Sequence, residues 1–270
     1  MTPNVLSIAG SDPSGGAGIQ ADIKAISANG AFAMAALTAL TAQNTTGVQD
    51  IHLVPPAFVQ SQITSVFDDI SVHAVKIGMI ANAEIAQAVA NALSGRDVPI
   101  VLDPVMIAKG GAALLDPDAV GVVRDALLPM ATVLTPNLPE AAHLLGTDVA
   151  TTRPEMETQG RALCGLGCKA VLMKGGHLDG AESPDCLVTK DTATWFESPR
   201  TLTQNTHGTG CTLSSALAAQ IAQGGDIVTA VSAAKSYVTH AIAQADRLQV
   251  GTGHGPVHHF AHLYDTSKGA

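Results

Sequence analysis

Aromatic side chains are scarce in this sequence. Of its 270 residues only 3% are aromatic, with one Trp and two Tyr. A surface that stacks the bases of single-stranded nucleic acid on aromatic rings is therefore not expected. The hydrophobic fraction of 46% must come mainly from Ala, Val, Ile and Leu. Such a composition is typical of a parallel sheet covered by helices.

Basic residues are also few. The chain has 14 Lys and Arg against 23 Asp and Glu, which gives a formal charge of −9. It contains no basic run of the kind that neutralises nucleic acid or an anionic membrane surface. Any phosphate must therefore be bound locally, by a few cations and by backbone N–H groups.

Cysteines and long apolar runs are limited too. The four cysteines form neither a CxxC pair nor a disulfide framework, which favours a reducing compartment. The N-terminal residues lack the pattern of a signal peptide, and the apolar run Ala31–Ala42 is shorter than the roughly 20 residues that span a bilayer. We therefore expect a cytoplasmic protein with no membrane segment.

Short β-prone runs alternate with helical stretches along most of the chain. This order predicts an α/β fold, a mostly parallel sheet with helices on both faces, built as a single domain over residues 1–270. The predicted strands are Val5–Ala9, Phe32–Ala42, Ala74–Ile77, Ile100–Leu102, Thr132–Leu134 and Ala170–Met173. The predicted helices between them are a stretch containing Ile19–Ile26, then Pro56–Phe67, Ala83–Leu93, Pro117–Leu127, Asn137–Leu145 and Glu155–Leu166.

The pattern changes towards the C-terminus. Asp185–Arg200 predicts an antiparallel hairpin, and it is followed by helices at Thr209–Gln223 and Ile227–Leu248 and a shorter one near Val257–Leu263. His258 and His262 lie one helical turn apart, but no carboxylate or Cys completes a zinc site. We interpret them as part of a simple helix.

The segment Asn205–Cys211 (NTHGTGC) carries the strongest chemical signal. Gly208 and Gly210 allow a tight turn into a helix whose free N–H groups would bind an anion. Alternatively the segment is a glycine-rich helix start capped by Thr206 or Thr209. Cys211 is either a base whose thiol pKa the helix dipole lowers or a small buried hydrophobe.

Polar residues follow several predicted strands, where ligands gather in open α/β sheets. Asp103, Asn137 and Glu140 offer the oxygen ligands that suit Mg²⁺, and Lys174 can reach phosphate oxygens. Each could instead be a helix cap or a surface pair. Their common placement at one sheet edge favours an active site.

Gly10–Gly18 is glycine-rich but fits neither a Walker A nor a GxGxxG motif. It is either a turn that lets the backbone approach a flat ring or a simple strand-to-helix turn.

These motifs together resemble a known family. The segments are AGSDPSGGAGIQAD, TAQNTTGVQ, KIGM, LDPVM, TPNLPEA, LMKGGH and NTHGTGCTLS. They are similar to the hydroxymethylpyrimidine/phosphomethylpyrimidine kinases, which belong to the ribokinase-like superfamily. The resemblance covers nearly the whole chain and implies a three-layer fold and two successive ATP-dependent phosphorylations, with ATP and Mg²⁺ as cofactors and a homodimer as the assembly.

The resemblance also implies site residues. The pyrimidine contacts would be Gly10, Asp22, Gln43, Met79 and Val105. Gly208, Thr209, Gly210 and Cys211 would form the anion hole and its base. Lys174, Asn137 and Thr206 would contact the nucleotide, and Asp103 and Glu140 would organise Mg²⁺.

Three alternatives compete with this interpretation. A pyridoxal or pyridoxine kinase would also act on a flat ring with a hydroxymethyl arm. A regulatory protein that kept the fold but lost catalysis is opposed by the presence of Cys211, Lys174 and Asp103. A cysteine hydrolase would need His207 as a partner for Cys211, and nothing in the sequence orients that histidine.

Overall fold

The computed structural model describes residues 1–106 and 117–264. The strands are β1 (Asn4–Ala9), β2 (Phe32–Leu37), β3 (Ala39–Asn44), β4 (Gly47–Leu53), β5 (Ala74–Ile77), β6 (Ile100–Leu102), β7 (Val133–Leu134), β8 (Ala170–Lys174), β9 (Asp185–Val188) and β10 (Ala193–Phe196). The helices are α1 (Gly18–Ala28), α2 (Pro56–Asp69), α3 (Ala83–Leu93), α4 (Pro117–Val122), α5 (Leu138–Leu145), α6 (Arg153–Cys164), α7 (Thr209–Ala222) and α8 (Ile227–Ala243).

Eight strands form one sheet in the order β10-β9-β8-β7-β6-β5-β1-β2. Within this sheet, every pair of neighbours from β2 through β1, β5, β6 and β7 to β8 is parallel. The pairs β8–β9 and β9–β10 are antiparallel. The predicted mostly parallel sheet and the predicted hairpin are thus confirmed. The carboxyl ends of β5, β6 and β8 therefore meet at one edge of the sheet.

Alternate residues of the central strands pack on opposite faces, as the pleat requires. Leu6 and Val75 belong to a core shared with α2, α3, α5 and α6, whereas Val5 and Ala74 belong to a second core shared with α1, α7 and α8. Helices therefore cover both faces, and the three-layer architecture is confirmed.

The region Phe32–Ala42 is not one strand, as the sequence predicted, but two. The chain leaves the main sheet at Thr38, whose hydroxyl donates to the Met79 carbonyl at 2.7 Å, and continues into a separate hairpin of β3 and β4. No Gly or Pro interrupts this apolar run, so its sequence carries no signal for the break. The hairpin lies over the same sheet edge through the contact of its Thr41 hydroxyl with the Ser11 carbonyl.

Two helix predictions also need correction. The segment Val257–Leu263 forms turns instead of a helix, because its groups bond to α8: the His258 N–H donates to the Ala241 carbonyl, and Tyr237 Oη donates to the His259 carbonyl. The helix that was predicted to reach Leu248 ends at Ala243 and is followed by a 3₁₀ turn. Among the helices of the described residues, none combines the length and apolar character that bilayer crossing requires.

Candidate active site

The site lies where the carboxyl ends of the central strands face the start of α7. Asp103 directly follows β6, and Lys174 is the last residue of β8. Lys174 Nζ lies 2.9 Å from an Asp103 carboxylate oxygen and 3.7 Å from a Glu140 carboxylate oxygen. Asp103 also accepts hydrogen bonds from the Thr135 and Ser214 hydroxyls. The fold thus brings together three of the residues that the sequence singled out.

Glycines at the start of α7 allow two close approaches. Gly208 is the N-cap residue, with φ of 78°, and a Cβ on it would collide with the carbonyl oxygen of Gly16. A Cβ on Gly210 would lie 3.4 Å from both Lys174 Nζ and an Asp103 carboxylate oxygen. The backbone of Gly210 is therefore exposed directly to the charged groups of the site.

The start of α7 has no side-chain cap. The Thr209 hydroxyl donates to the Thr206 carbonyl, and neither threonine accepts from the first turn of the helix. The alternative of a threonine-capped helix start is therefore wrong. The Thr209 N–H donates to the Thr206 carbonyl at 3.3 Å. The N–H groups of Gly210 and Cys211 keep their capacity to bind an anion, and the helix dipole favours one there.

The thiol of Cys211 does not have the low pKa that its helix position predicted. Burial raises the pKa of Cys211 to about 11. The Lys76 cation and a hydrogen bond from the Gly18 N–H oppose this rise, whereas the Asp22 and Asp103 carboxylates add to it. In the free protein Cys211 is therefore a protonated thiol at neutral pH.

Asp22 has its carboxylate bonded to protein groups, so its predicted pyrimidine contact gains no support. It is completely buried, and its two oxygens accept from Lys76 at 2.9 Å, from Ser7 at 2.6 Å and from Ser215 at 2.7 Å. The resemblance could not show that protein groups saturate this carboxylate.

The structure orients His207, which the sequence had left without a partner. His207 Nε2 lies 2.8 Å from an Asp12 carboxylate oxygen, and the backbone N–H of His207 donates to the Gly255 carbonyl. Asp12 also accepts from the backbone N–H groups of Ser14, Gly16 and Ala17. Sequence analysis missed Asp12, whose only signal was its position within the glycine-rich loop. This contact ties the loop of residues 10–18 to the start of α7.

The other predicted pyrimidine residues lie on two sides of the site. Met79 is buried against Gly10. A Cβ on Gly10 would lie 3.0 Å from the Met79 sulfur. Gln43 on β3 has its side-chain nitrogen 3.4 Å from His207 Nε2. Val105 is half-buried next to Asp103, and its N–H donates to the Asp103 carbonyl. Gly10 thus begins the loop of residues 10–18 with Met79 against it, and Gln43 lies beside His207. Val105 lies beside the Asp103 backbone.

A cavity of about 940 Å³ opens beside the start of α7. Its lining includes Lys174, Gly176, Ser183, Asp185, Arg200, Thr206, Thr209, Leu213, Lys235 and Val238. Arg200 donates to the carbonyls of Gly176, Leu178, Gly180 and Glu182 and so holds the loop after β8 in place. Sequence analysis assigned no role to Arg200.

Asn137 has a structural role at the start of α5. Its side chain accepts from the Glu140 N–H at 2.8 Å, and the Glu140 carboxylate accepts from the Asn137 N–H at 2.8 Å. This is a capping box, the alternative that the sequence left open, and Asn137 is not among the residues that line the cavity. Its predicted nucleotide contact therefore gains no support.

Asp103 and Glu140 fit a magnesium ion only in part. Within residues 1–106 and 117–264, no three His, Cys, Asp or Glu side chains converge to form a protein cage for a metal. Burial raises the pKa of Glu140 to about 7, Lys174 opposes the rise and Asp103 adds to it. Two carboxylates around an ammonium suit an ion that phosphates and water also hold, as Mg²⁺ usually is.

Comparison with known proteins agrees with this geometry. The family model described as "Phosphomethylpyrimidine kinase" matches residues 12–258. The chain is 54% identical over 258 residues to the hydroxymethylpyrimidine/phosphomethylpyrimidine kinase of Escherichia coli, covering 95% of this chain and 97% of that protein. It is 50% identical to the Rhizobium meliloti protein of the same name, covering 96% and 98%.

Solved structures give the same result. An ADP complex of Bacillus subtilis pyridoxal kinase is 34% identical with a TM-score of 0.90, covering 98% of this chain and 100% of that one. A phosphomethylpyrimidine kinase from Clostridium difficile is 42% identical with a TM-score of 0.80, covering 89% and 100%. With the family model matched over most of its length and relatives at half identity or more, the chain belongs to the phosphomethylpyrimidine kinase family, and its fold is ribokinase-like.

Proposed function

We propose that this protein transfers the γ-phosphoryl group of ATP to the hydroxymethyl group of 4-amino-5-hydroxymethyl-2-methylpyrimidine, and then to the resulting monophosphate, in thiamine biosynthesis. The observation that carries the proposal is the uncapped, glycine-rich start of α7 beside Lys174 and Asp103. Relatives named for both kinase activities support the choice of substrate.

The cavity of about 940 Å³ is the proposed ATP site. Lys174 and Thr206 line this cavity and would lie beside the phosphates. The amides of Gly208, Thr209 and Gly210 would stabilise charge on the transferred group. Burial would lower the pKa of Lys174, but the nearby Asp103 and Glu140 carboxylates hold that pKa above its ordinary value. Lys174 therefore stays charged while it contacts phosphate oxygens.

Asp103 and Glu140 are the proposed partners of Mg²⁺. When bound, the ion would neutralise charge on the phosphates during transfer. Lys174 Nζ lies 2.9 Å from Asp103 and 3.7 Å from Glu140, so its charge would act on the phosphates from beside the residues that would hold the ion.

The pyrimidine is proposed to lie between the loop of residues 10–18 and the β3–β4 hairpin. The Gln43 amide offers one donor and one acceptor to an aminopyrimidine edge, while Gly10, Met79 and Val105 supply apolar contacts. The buried Asp22 takes no direct part. The hydroxymethyl group would then face Cys211.

In the first reaction a bond forms between the hydroxyl oxygen and the γ-phosphorus, and the bond from that phosphorus to the bridging oxygen breaks to release ADP. Cys211 first releases its thiol proton to water, and the resulting thiolate Sγ then accepts the hydroxyl proton. In the second reaction the acceptor is a phosphate oxygen, which at pH 8 carries no proton because the second pKa of a phosphate ester is about 6.

The test is ADP release measured separately with the hydroxymethylpyrimidine, its monophosphate and pyridoxal. Cys211→Ala should abolish most turnover of the alcohol while turnover of the monophosphate falls much less, because only the alcohol must lose a proton. Activity on neither pyrimidine would overturn the proposed function. Near-normal turnover of the alcohol by Cys211→Ala would instead remove the base role of the thiol and leave positioning as the main catalytic effect.

A pyridoxal kinase activity is the second candidate. It is supported by the structural similarity to pyridoxal kinases, including a Staphylococcus aureus enzyme in complex with AMP-PCP and pyridoxal, 30% identical with a TM-score of 0.89. The monophosphate decides between the two, because a pyridoxal kinase would phosphorylate the alcohol once and stop. Both activities in one preparation would indicate a dual enzyme.

The assembly and location are part of the same proposal. A homodimer in the cytoplasm agrees with the family, and four free cysteines are compatible with a reducing compartment. The single-domain interpretation of residues 1–270 also stays a prediction. Light scattering of the purified protein measures the assembly directly.

A further inference from the structure

A lysine is completely buried in the middle of the central sheet. Lys76 lies on β5 between the apolar residues Val75 and Ile77 and has no solvent exposure. Burial alone would lower the pKa of Lys76, but the Asp22 carboxylate holds that pKa above its ordinary value, so the side chain is charged. A buried charge is costly unless it is paired, and nothing in the proposed reaction has yet used this one.

The contacts of this pair define its orientation. Lys76 Nζ donates to both Asp22 oxygens at 2.9 Å, and Ser7 and Ser215 complete the carboxylate. Among the described residues the hydrogen bonds from Nζ all go to Asp22. One of the three ammonium protons therefore stays available to another acceptor.

The ammonium lies at the carboxyl end of β5. Lys76 Nζ lies beside Gly78 at the carboxyl end of β5, where a Cβ would come within 2.6 Å of it. Ser215, which holds the carboxylate, lies one helical turn after Cys211 on α7. The pair is thus attached to the helix that carries the thiol, and its charge acts on that thiol.

We infer that Lys76 is a positioning residue for proton transfer: held by Asp22, its fixed charge stabilises the anionic form of Cys211 that accepts the hydroxyl proton. This inference rests on the proposed function. The other charged groups that act on the thiol are the Lys174 cation and the Asp22 and Asp103 carboxylates. Two groups lower the pKa of Cys211 and so oppose burial, and Lys76 has a larger effect than the Gly18 N–H.

The two successive reactions provide an internal control. Stabilising a thiolate matters for the alcohol, which must lose a proton, and not for the monophosphate, which has already lost it at pH 8. A merely structural ion pair would change both reactions together. The ratio of the two turnover numbers therefore separates an electrostatic role from a structural one.

The experiment compares Lys76→Met, Asp22→Asn and the double variant with the wild type and with Lys190→Met. Each protein is assayed on both pyrimidines, and alkylation of Cys211 by iodoacetamide at pH 8 is followed by mass spectrometry of its peptide. Lys190→Met removes an exposed lysine between β9 and β10, so it should stay within about twofold of wild type in both measurements, as surface substitutions usually do.

Lys76→Met should slow alkylation of Cys211 and turnover of the alcohol by about tenfold or more, since a nearby opposite charge shifts a pKa by roughly one to three units. Turnover of the monophosphate should fall much less. Asp22→Asn removes a carboxylate that raises the pKa of Cys211. The alkylation rate should therefore be equal to or higher than that of the wild type. The double variant keeps the site neutral if Lys76→Met alone fails to fold, because replacing both charges of a buried pair is often tolerated.

Three results would overturn the inference. They are alkylation within about twofold of wild type in folded Lys76→Met, or of Asp22→Asn in the double variant; equal slowing of alkylation by Lys76→Met and Asp22→Asn; and equal losses on the two pyrimidines. If the wild type phosphorylates neither pyrimidine, the proposed function fails. The alkylation rates still decide the role of Lys76 in that case.

Discussion

Replacing Asp12 by Asn should loosen the contact between the glycine-rich loop and the start of α7. Burial tends to raise the pKa of Asp12, but hydrogen bonds from His207 and Ser14, the charge of His207 and the Ala17 N–H together lower it from 3.8 to about 2. A pKa shift of this size corresponds to about 2 kcal/mol of folding free energy. An Asn side chain would also place its own N–H₂ group opposite N–H donors that now donate to the carboxylate.

The sign of the pH dependence follows from the lowered pKa. The contribution of Asp12 is fully present above its unfolded value of 3.8 and is lost as pH falls through about 2. Wild type should therefore exceed Asp12→Asn by about 2 kcal/mol in free energy of unfolding at pH 7, and by about half of that at pH 3. Turnover of the pyrimidine should fall about tenfold or more, because His207 and the start of α7 lose their anchor.

Urea unfolding at the two pH values measures the difference, with kinetics on the same preparations. Asp68→Asn, an exposed change on α2, is the matched control and should leave both quantities unchanged. The reasoning is wrong if Asp12→Asn unfolds within about 0.5 kcal/mol of the wild type at pH 7. It is also wrong if the difference in unfolding free energy is the same at pH 3 and pH 7.

Three further changes probe the rest of the site. Gln43→Ala should raise the Michaelis constant for the pyrimidine by a factor equivalent to about 1–3 kcal/mol and leave that for ATP unchanged, with exposed Gln49→Ala as control; equal effects on both ligands would contradict the placement. Gly208→Ala should lower both melting temperature and turnover more than Gly224→Ala, since both positions have positive φ but only the first would meet a neighbouring carbonyl. The raised pKa of Glu140, about 7, implies a stability contribution that is complete below about pH 4.5 and lost as pH rises through 7. Thermal unfolding at pH 5 and pH 8 should thus show a loss of about 2.5 kcal/mol in wild type that is absent in Glu140→Gln. Parallel curves for the two proteins would refute this.

Much of the fold followed from the sequence because regular patterns encode it locally. Ala74–Ile77, Ala83–Leu93 and Ile100–Leu102 were predicted with the bounds that the structure has, since each is a periodic apolar run between clear breaks. The division of Phe32–Ala42 into β2 and β3 was not predictable, because a tertiary bond at Thr38, and not a Gly or Pro, causes it. The C-terminal turns likewise depend on hydrogen bonds to α8.

The same division applies to the site. The sequence by itself determined which groups stand at the strand ends and at the start of α7, because motif spacing and the βα order place Asp103, Lys174 and Cys211 at one edge. Only the tertiary structure decided the charge and bonding of the buried groups. A buried lysine pairs with Asp22, and burial raises the pKa of Cys211 despite its helix position. Position along the chain fixes which strand end a residue occupies, whereas burial and charge pairing depend on groups that are distant in sequence and meet only in the folded protein.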